Sequence, residues 1–492
     1  MIDTPTPNEN DLDFDESLIK DEENEKILYF WDIKRQKYVG LLKDTQEIQI
    51  IEKEHIKRHF YNKSPENWKF IKDTLFLEDK IIKNRYLTFE PLKEQEWKQN
   101  GFIYRNTFIE SQISLKATET RNQGLLTIKE DLSFMDNYPH IKALLNNLCS
   151  KDEYLEYFIN WLSCALTTKK KIGTSIFFRG IPGTGKGVLW EQLICYFVGD
   201  NYVQVLENDT LKSNFTPKGL EKSLFVLANE IKADFRDGNN TYEKLKMYIT
   251  DSTLRIEEKG VQAFNAPNHF NLILFSNNDV PLQIQGGDRR YSIFATKSRT
   301  LAEVAKVDFG LTIDLFIKEI QKERDNFLID LICYSYSFDK ARKCLETEEK
   351  ERIYRASMTK IEILADKVKS FDKSFFENDI CEILEQMPNE EKEELYKKNN
   401  IIFYNDNDEL TIKYLYDEMQ KFAFEFQCLK NSHLVFLYQI FVDDKATLTK
   451  LGTALNSHFG KSESTTIRNE RIRVRKVAEF KQKDFLEKLI PF

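Results

Sequence analysis

No run of apolar residues in this 492-residue chain approaches the roughly 20 needed to cross a bilayer. Met1–Asn10 has neither the basic nor the apolar region of a secretory signal, so a cytoplasmic protein without membrane contact is expected. Cysteine is sparse: Cys149, Cys164, Cys195, Cys333, Cys344, Cys381 and Cys428 are scattered and odd in number. That excludes a disulfide framework and a thiolate zinc site. Glycine and proline, 17 and 11 residues, are too few for a fibrous or low-complexity chain. Positive charge is also missing in the sum, −8 overall, which excludes a protein that coats nucleic acid with its whole surface but leaves room for a local basic channel. What is present, 41% hydrophobic residues with 13% aromatic, is the composition of a folded globular protein, and the length calls for two or three domains.

Residues 1–25 carry ten carboxylates among small polar residues, too little apolar content to offset the entropy of ordering, and read as a disordered acidic tail. Residues 26–118 alternate short aromatic and β-branched runs with turn-like pieces such as Asn100-Gly101, the pattern of a small mixed α/β accessory domain. The polar stretch Lys116–Gly124 reads as a linker, and residues 119–170 as linker plus helical segment, with apolar spacing of three and four over Pro139–Leu148 and Tyr154–Leu166. Residues 171–297 form the core unit. In 298–492 the chain turns helical: Leu311–Leu331 and Ile361–Lys373 are amphipathic, and Lys340–Arg355 reads as a solvated, charge-rich helix. Near the end, Leu448–Phe459, Gly460 and the basic alternating strand Ile472–Arg475 suggest a winged-helix-like module.

The strongest chemical signal is Gly180-Ile181-Pro182-Gly183-Thr184-Gly185-Lys186-Gly187-Val188, between an apolar strand over Thr174–Phe178 and a helix carrying the Leu189, Leu193, Phe197 stripe. Glycines let backbone N–H groups close around phosphate oxygens, the helix N-terminus adds partial positive charge, and Lys186 reaches the β- and γ-phosphates. ATP with Mg²⁺ is the expected ligand. Gly187 stands where a Ser or Thr hydroxyl normally binds the metal, a place that water can fill.

Ser223–Glu230 reads as a buried parallel strand closed by a polar pair. A carboxylate at that position can polarise the attacking water, the role of Glu230, with Asn229 in weaker, water-mediated contact with Mg²⁺. A third strand, Asn271–Phe275, ends in an amide suited to hold that water and sense hydrolysis: Asn277, with Asn278 the alternative. Arg289 and Arg290 follow, before a strand over Ser292–Ala295. One of them, supplied to a neighbouring subunit, stabilises the charge of the transferring phosphoryl group, which implies a homo-oligomer.

These four elements, in this order, resemble the superfamily 3 helicases, and more closely the phage and plasmid primase-helicase branch. The resemblance runs from about Tyr138 to Lys297, and Gly after the loop lysine is frequent in that branch. It implies an α/β P-loop core of the AAA+ type with a parallel sheet, a hexameric ring, and ATP-driven translocation on single-stranded and forked DNA. A primase or polymerase partner goes with it. The resemblance also implies a β-hairpin between the second and third motifs whose lysine holds the DNA backbone. The matching region is Lys246–His269, with Lys259-Gly260 at the tip and Arg255 and His269 as further contacts. A primase domain of the chain's own is not expected: Asp13-Phe14-Asp15 has the spacing of a primase carboxylate pair but lies in the acidic tail. An initiator or helicase loader using the same ATPase is the alternative reading.

Overall fold

The computed structural model describes residues 27–32, 37–42, 48–52, 85–123, 129–213, 216–217, 219–231, 240–257, 263–402, 407–443, 447–467 and 470–476. The acidic tail and the Lys259-Gly260 tip lie outside them. The chain divides into two compact units, Met1–Ile353 and Tyr354–Phe492.

The first unit opens with an antiparallel meander of β1 (Ile27–Asp32), β2 (Lys37–Leu42) and β3 (Ile48–Ile50), followed by β4 (Arg85–Thr88), β5 (Glu96–Gln99) and β6 (Phe102–Asn106) in the order β4-β6-β5. Phe30, Val39, Leu41 and Leu87 make a small core between these two sheets. Phe89 and Phe108 join the main core instead, each packing on Tyr202.

Where the sequence reads as a linker, the chain forms helix α1 (Gln112–Asn122), capped by Ser111. Ala117 is its one fully enclosed side chain, and Arg121 donates to the Ile332 carbonyl. So polar a helix carries almost no periodic signal, and its docking is what decides it. Next come α2 (Pro139–Cys149) and α3 (Asp152–Thr168), strongly apolar on their inner faces.

The core sheet consists of β7 (Ser175–Arg179), β8 (Val203–Leu206), β9 (Phe225–Ala228), β12 (Asn271–Ser276) and β13 (Tyr291–Ala295). All are parallel, in the order β13-β7-β12-β9-β8. Between β9 and β12 lie α4 (Asn240–Thr250) and the antiparallel hairpin β10 (Thr253–Ile256) and β11 (Phe264–Pro267). Continuous apolar runs such as FVLA and NLILFS form strands here because both faces are covered. Ile176, Phe178, Leu227, Ile273, Phe275 and Phe294 point to one core, shared with α2, α3 and α6 (Ile313–Ile332). The alternating Phe177, Val226, Leu272, Leu274 and Ile293 point to the other, under α4 and the hairpin. Helix α5 (Leu301–Phe309), closed by a Thr300–Glu303 capping box and Gly310 (φ 68°), leads into α6.

The segment expected as one solvated helix over Lys340–Arg355 is not continuous and is solvated on one side only. Helices Phe338–Arg342 and Glu348–Ser357 are separated by a stretch that docks beside β13, the Leu345 N–H donating to Ser292 Oγ at 2.9 Å and Thr347 Oγ1 to the Ile293 carbonyl at 2.5 Å. Glu349 and Lys350 are buried, Glu349 accepting from Arg179 and Lys350 donating to the Asp288 carbonyl.

The second unit contains α7 (Lys360–Lys369), α8 (Asp408–Phe426), β14 (Cys428–Lys430), α9 (Asn431–Phe441), α10 (Leu448–Phe459), β15 (Ser462–Ile467) and β16 (Glu470–Lys476), with further helices between α7 and α8. The three strands are antiparallel in the order β14-β16-β15. A core built on Leu364, Met419, Leu434 and Leu455 holds the helices together.

Candidate functional site

β7 delivers the chain into the Gly180–Gly187 loop, and a helical run starts at Lys186, its stretch Leu189–Cys195 wound as a π-helix. The loop is shaped by close approach. Gly185 has φ 107°, and a Cβ on it would come within 2.5 Å of Leu144; a Cβ on Gly180 would lie 1.9 Å from Thr296 Oγ1. Three contacts hold the loop from outside: the Leu301 N–H donates to the Gly183 carbonyl at 2.7 Å, the Gly180 N–H to that of Ser276 at 3.1 Å, and Asn147 Nδ2 to that of Thr184 at 2.9 Å. Asn147, buried on α2, also donates to the Arg299 carbonyl at 2.9 Å, tying the loop to the approach to α5.

Pro182, Gly183, Gly185, Lys186, Gly187 and Val188 line a cleft of about 730 Å³ at the carboxyl ends of the parallel strands. Open α/β sheets offer ligand crevices at that position, and the size falls within the range of small-molecule sites. Gly180 and Thr184 stand behind it, Thr184 fully enclosed. Lys186 folds back onto the loop, its Nζ donating to the carbonyls of Gly180 at 2.9 Å and Ile181 at 3.0 Å. Burial, with a smaller push from Arg179, lowers its pKa to about 8. Next to Gly187 the space is open, with no atom within 4 Å of where a Cβ would stand.

Asn229 at the end of β9 and Asn277 after β12 also face the cleft. Asn278 does not: its side chain donates to the Ile231 carbonyl at 3.1 Å and bridges the two strand ends. Glu230 is exposed and left-handed (φ 51°), just beyond the lining, with Asn208 Nδ2 donating to its carbonyl at 2.7 Å. A non-glycine residue held in that conformation is strained, a condition that clusters at functional sites. The adjacent arginines separate. Arg290 pairs with the fully enclosed Asp288 at 2.8 Å, which Tyr242 also contacts at 2.6 Å. Arg289 is exposed and has no ion-pair partner among the described residues.

The hairpin β10–β11 occupies the region expected for it. Arg255 projects to solvent, paired with Glu257 at 2.7 Å. His269 lies past the base of the hairpin, at the far end from its open end, edge-on to Phe89 at 5.6 Å. The base itself is fixed: Asn268 Nδ2 donates to the carbonyls of Tyr248 and Asp251, and the half-buried Lys171 donates to the carbonyls of Tyr248 and Phe270.

Sequence reading missed Asn147, Trp190, Glu191, Thr300 and Ile313, the last four of which line the cleft. Glu191 could have been found, lying one helical turn after Gly187. Asn147 and Ile313 come from outside the loop motif, and no local pattern marks them.

Residues 178–290 match DUF5906, a family of unknown function. The chain is 25% identical over 450 residues to a DNA primase-polymerase of Nitratiruptor phage NrS-1, covering 90% of this chain and 54% of that protein. It therefore spans about half the length of the curated relative it matches. Its fold is that of the NrS-1 C-terminal region: the apo structure of that region superposes with a TM-score of 0.65 at 22% identity, covering 94% of this chain and 98% of the other. A second apo form gives 0.64. Among the described residues no helix is long and apolar enough to cross a membrane, and no cluster of His, Cys, Asp and Glu is arranged to hold a metal.

Proposed function

We propose that the protein is an ATP-dependent DNA helicase of the superfamily 3 kind, with an AAA+-type P-loop core, working as a ring of identical subunits in the replication of a phage or other mobile element. The observation that carries this reading is the meeting of Lys186, Asn229 and Asn277 in one cleft beside a glycine-rich loop at the carboxyl edge of a parallel sheet. Similarity to a phage primase-polymerase supports the replication setting and a primase or polymerase as partner.

ATP lies along the loop, its phosphates replacing the carbonyls that Lys186 now contacts. The open space beside Gly187 suits a hydrated Mg²⁺, with Asn229 and Glu230 facing it through water. Bound there, the metal neutralises phosphate charge. Asn277 holds the attacking water, and Glu230, turned inward from the rim, takes its proton as the new P–O bond forms and ADP leaves. Arg289 reaches the neighbouring subunit's ATP, since Arg290 is committed to Asp288. Lys259, with Arg255, grips the phosphate backbone of the single strand and moves it.

Strand displacement on a forked duplex tests this. ATP-dependent unwinding, lost in Lys186→Ala, is expected. ATP turnover with no displacement under any condition would favour a loader or initiator, and absence of turnover would overturn the ATPase itself.

A further inference from the structure

We propose that Glu191 is a metal-positioning residue of the cleft, its carboxylate standing in for the hydroxyl that Gly187 lacks and holding, through water, the divalent cation that accompanies a bound nucleoside triphosphate. That role rests on the nucleotide-site reading above, and it falls to a side chain outside the glycine loop.

In a phosphate-binding glycine loop the residue after the lysine supplies a hydroxyl to the metal. Gly187 leaves that place open. The threonines of the loop and of the cleft wall are both engaged elsewhere. Thr184 is fully enclosed behind the loop, its Oγ1 donating to the Ile181 carbonyl at 3.4 Å. Thr300 lines the cleft, but its Oγ1 serves the capping box of α5, accepting from the Glu303 N–H at 3.2 Å and donating to Glu303 Oε2 at 3.0 Å.

Among the described residues that line the cleft, Glu191 is the one carboxylate, since Glu230 stands beyond the lining. It follows Gly187 by four residues in the same helical run, and both face the cleft. Helical side chains lean toward the amino end of their helix, which directs the Glu191 carboxylate back over the first turn toward Gly187. Its neighbours are committed: Trp190 is buried, and Gln192 accepts from Gln321 at 2.8 Å. Glu191 itself is exposed and makes no hydrogen bond or ion pair among the described residues. It also lies in the π-helical stretch Leu189–Cys195, a winding that is rare and found frequently at functional sites.

Mg²⁺ takes oxygen ligands, keeps several of its waters, and is usually held by one or two carboxylates together with phosphate oxygens. Asn229 and Asn277 are neutral, so within the cleft lining Glu191 alone supplies negative charge to a cation. A carboxylate one helical turn away has more room than a hydroxyl on the loop, which suits contact through a water. The same charge repels a bare triphosphate. Lys186 therefore attracts the nucleotide with or without metal, whereas Glu191 favours the metal-bound form.

The test is the affinity of the full-length protein for a non-hydrolysable ATP analogue, measured by titration calorimetry with Mg²⁺ and again in excess EDTA. The ratio of the two affinities reports the metal alone, and no turnover is needed to read it. Glu191→Gln should lower that ratio on the order of tenfold, through weaker binding with Mg²⁺ and no weakening in EDTA. Gly187→Ser added to Glu191→Gln should restore most of it, because a side chain at 187 meets no atom within 4 Å and returns a hydroxyl to the metal. An unchanged ratio in Glu191→Gln, or an equal loss with and without metal, overturns the proposal. A wild-type protein that binds the analogue with a ratio near one overturns this proposal alone; one that binds it under neither condition overturns the nucleotide site as well.

Discussion

ATP binding should weaken with alkaline pH, and Lys186 sets by how much. In the nucleotide-free protein its ammonium is buried against two carbonyls and its pKa is lowered to about 8. Phosphate oxygens favour the charged form, so the bound pKa rises and binding takes up a proton wherever the free lysine has lost one. Below pH 7 the lysine is charged in both states and affinity is flat. At pH 9 about ten in eleven free molecules are neutral, so affinity should be roughly tenfold weaker, about 1.4 kcal/mol, with a further tenfold per pH unit until the bound pKa is reached. Titration calorimetry at pH 7, 8 and 9, in buffers of different ionisation enthalpy, reads both the affinity and the proton taken up. In Lys186→Arg the guanidinium does not titrate, so whatever its affinity, the pH slope should vanish. Affinity that is flat from pH 7 to 9.5, or a slope that survives in the arginine variant, would refute the assignment of Lys186 to the phosphates.

Gly180→Ala drives a methyl to 1.9 Å from Thr296 Oγ1 and should cost about 1–3 kcal/mol in urea denaturation; adding Thr296→Ala should restore most of it, and an unsuppressed loss would place the strain elsewhere. Arg290→Ala leaves Asp288 buried without its cation and should destabilise the first unit by roughly 3–5 kcal/mol. Arg289→Ala should leave the thermal midpoint unchanged while removing hydrolysis, recovered when mixed with Lys186→Ala subunits; reversed outcomes for the two would exchange their roles. Glu230→Gln should bind ATP and stop hydrolysis, whereas Glu230→Gly should also stop it but stabilise the protein by about 1 kcal/mol by relaxing the left-handed backbone. Turnover persisting in both variants would remove Glu230 from the chemistry.

Four of the five core strands and the glycine loop were legible in the chain itself because their signals are local; the edge strand β8, VQVL, is too short and too exposed to give one. Four continuous apolar runs can only be strands covered on both faces, and a glycine-rich segment between strand and helix states its own geometry. The order of those segments was enough to anticipate that Lys186, Asn229 and Asn277 end at one edge of the sheet. What local pattern could not contain was the choice between neighbours. Asn277 and Asn278 are alike in sequence; Ile231, 47 residues away, engages the second and leaves the first in the cleft. Arg289 and Arg290 are separated only by the enclosed Asp288, and His269 is claimed by Phe89 from a distant sheet. Charge pattern likewise cannot reveal that Glu349 and Lys350 are buried, since their burial is matched by Arg179 and by the Asp288 carbonyl, both far along the chain. Periodicity reports which face of an element is apolar; it takes the folded neighbours to say which polar side chains are already satisfied and which remain free to meet a ligand.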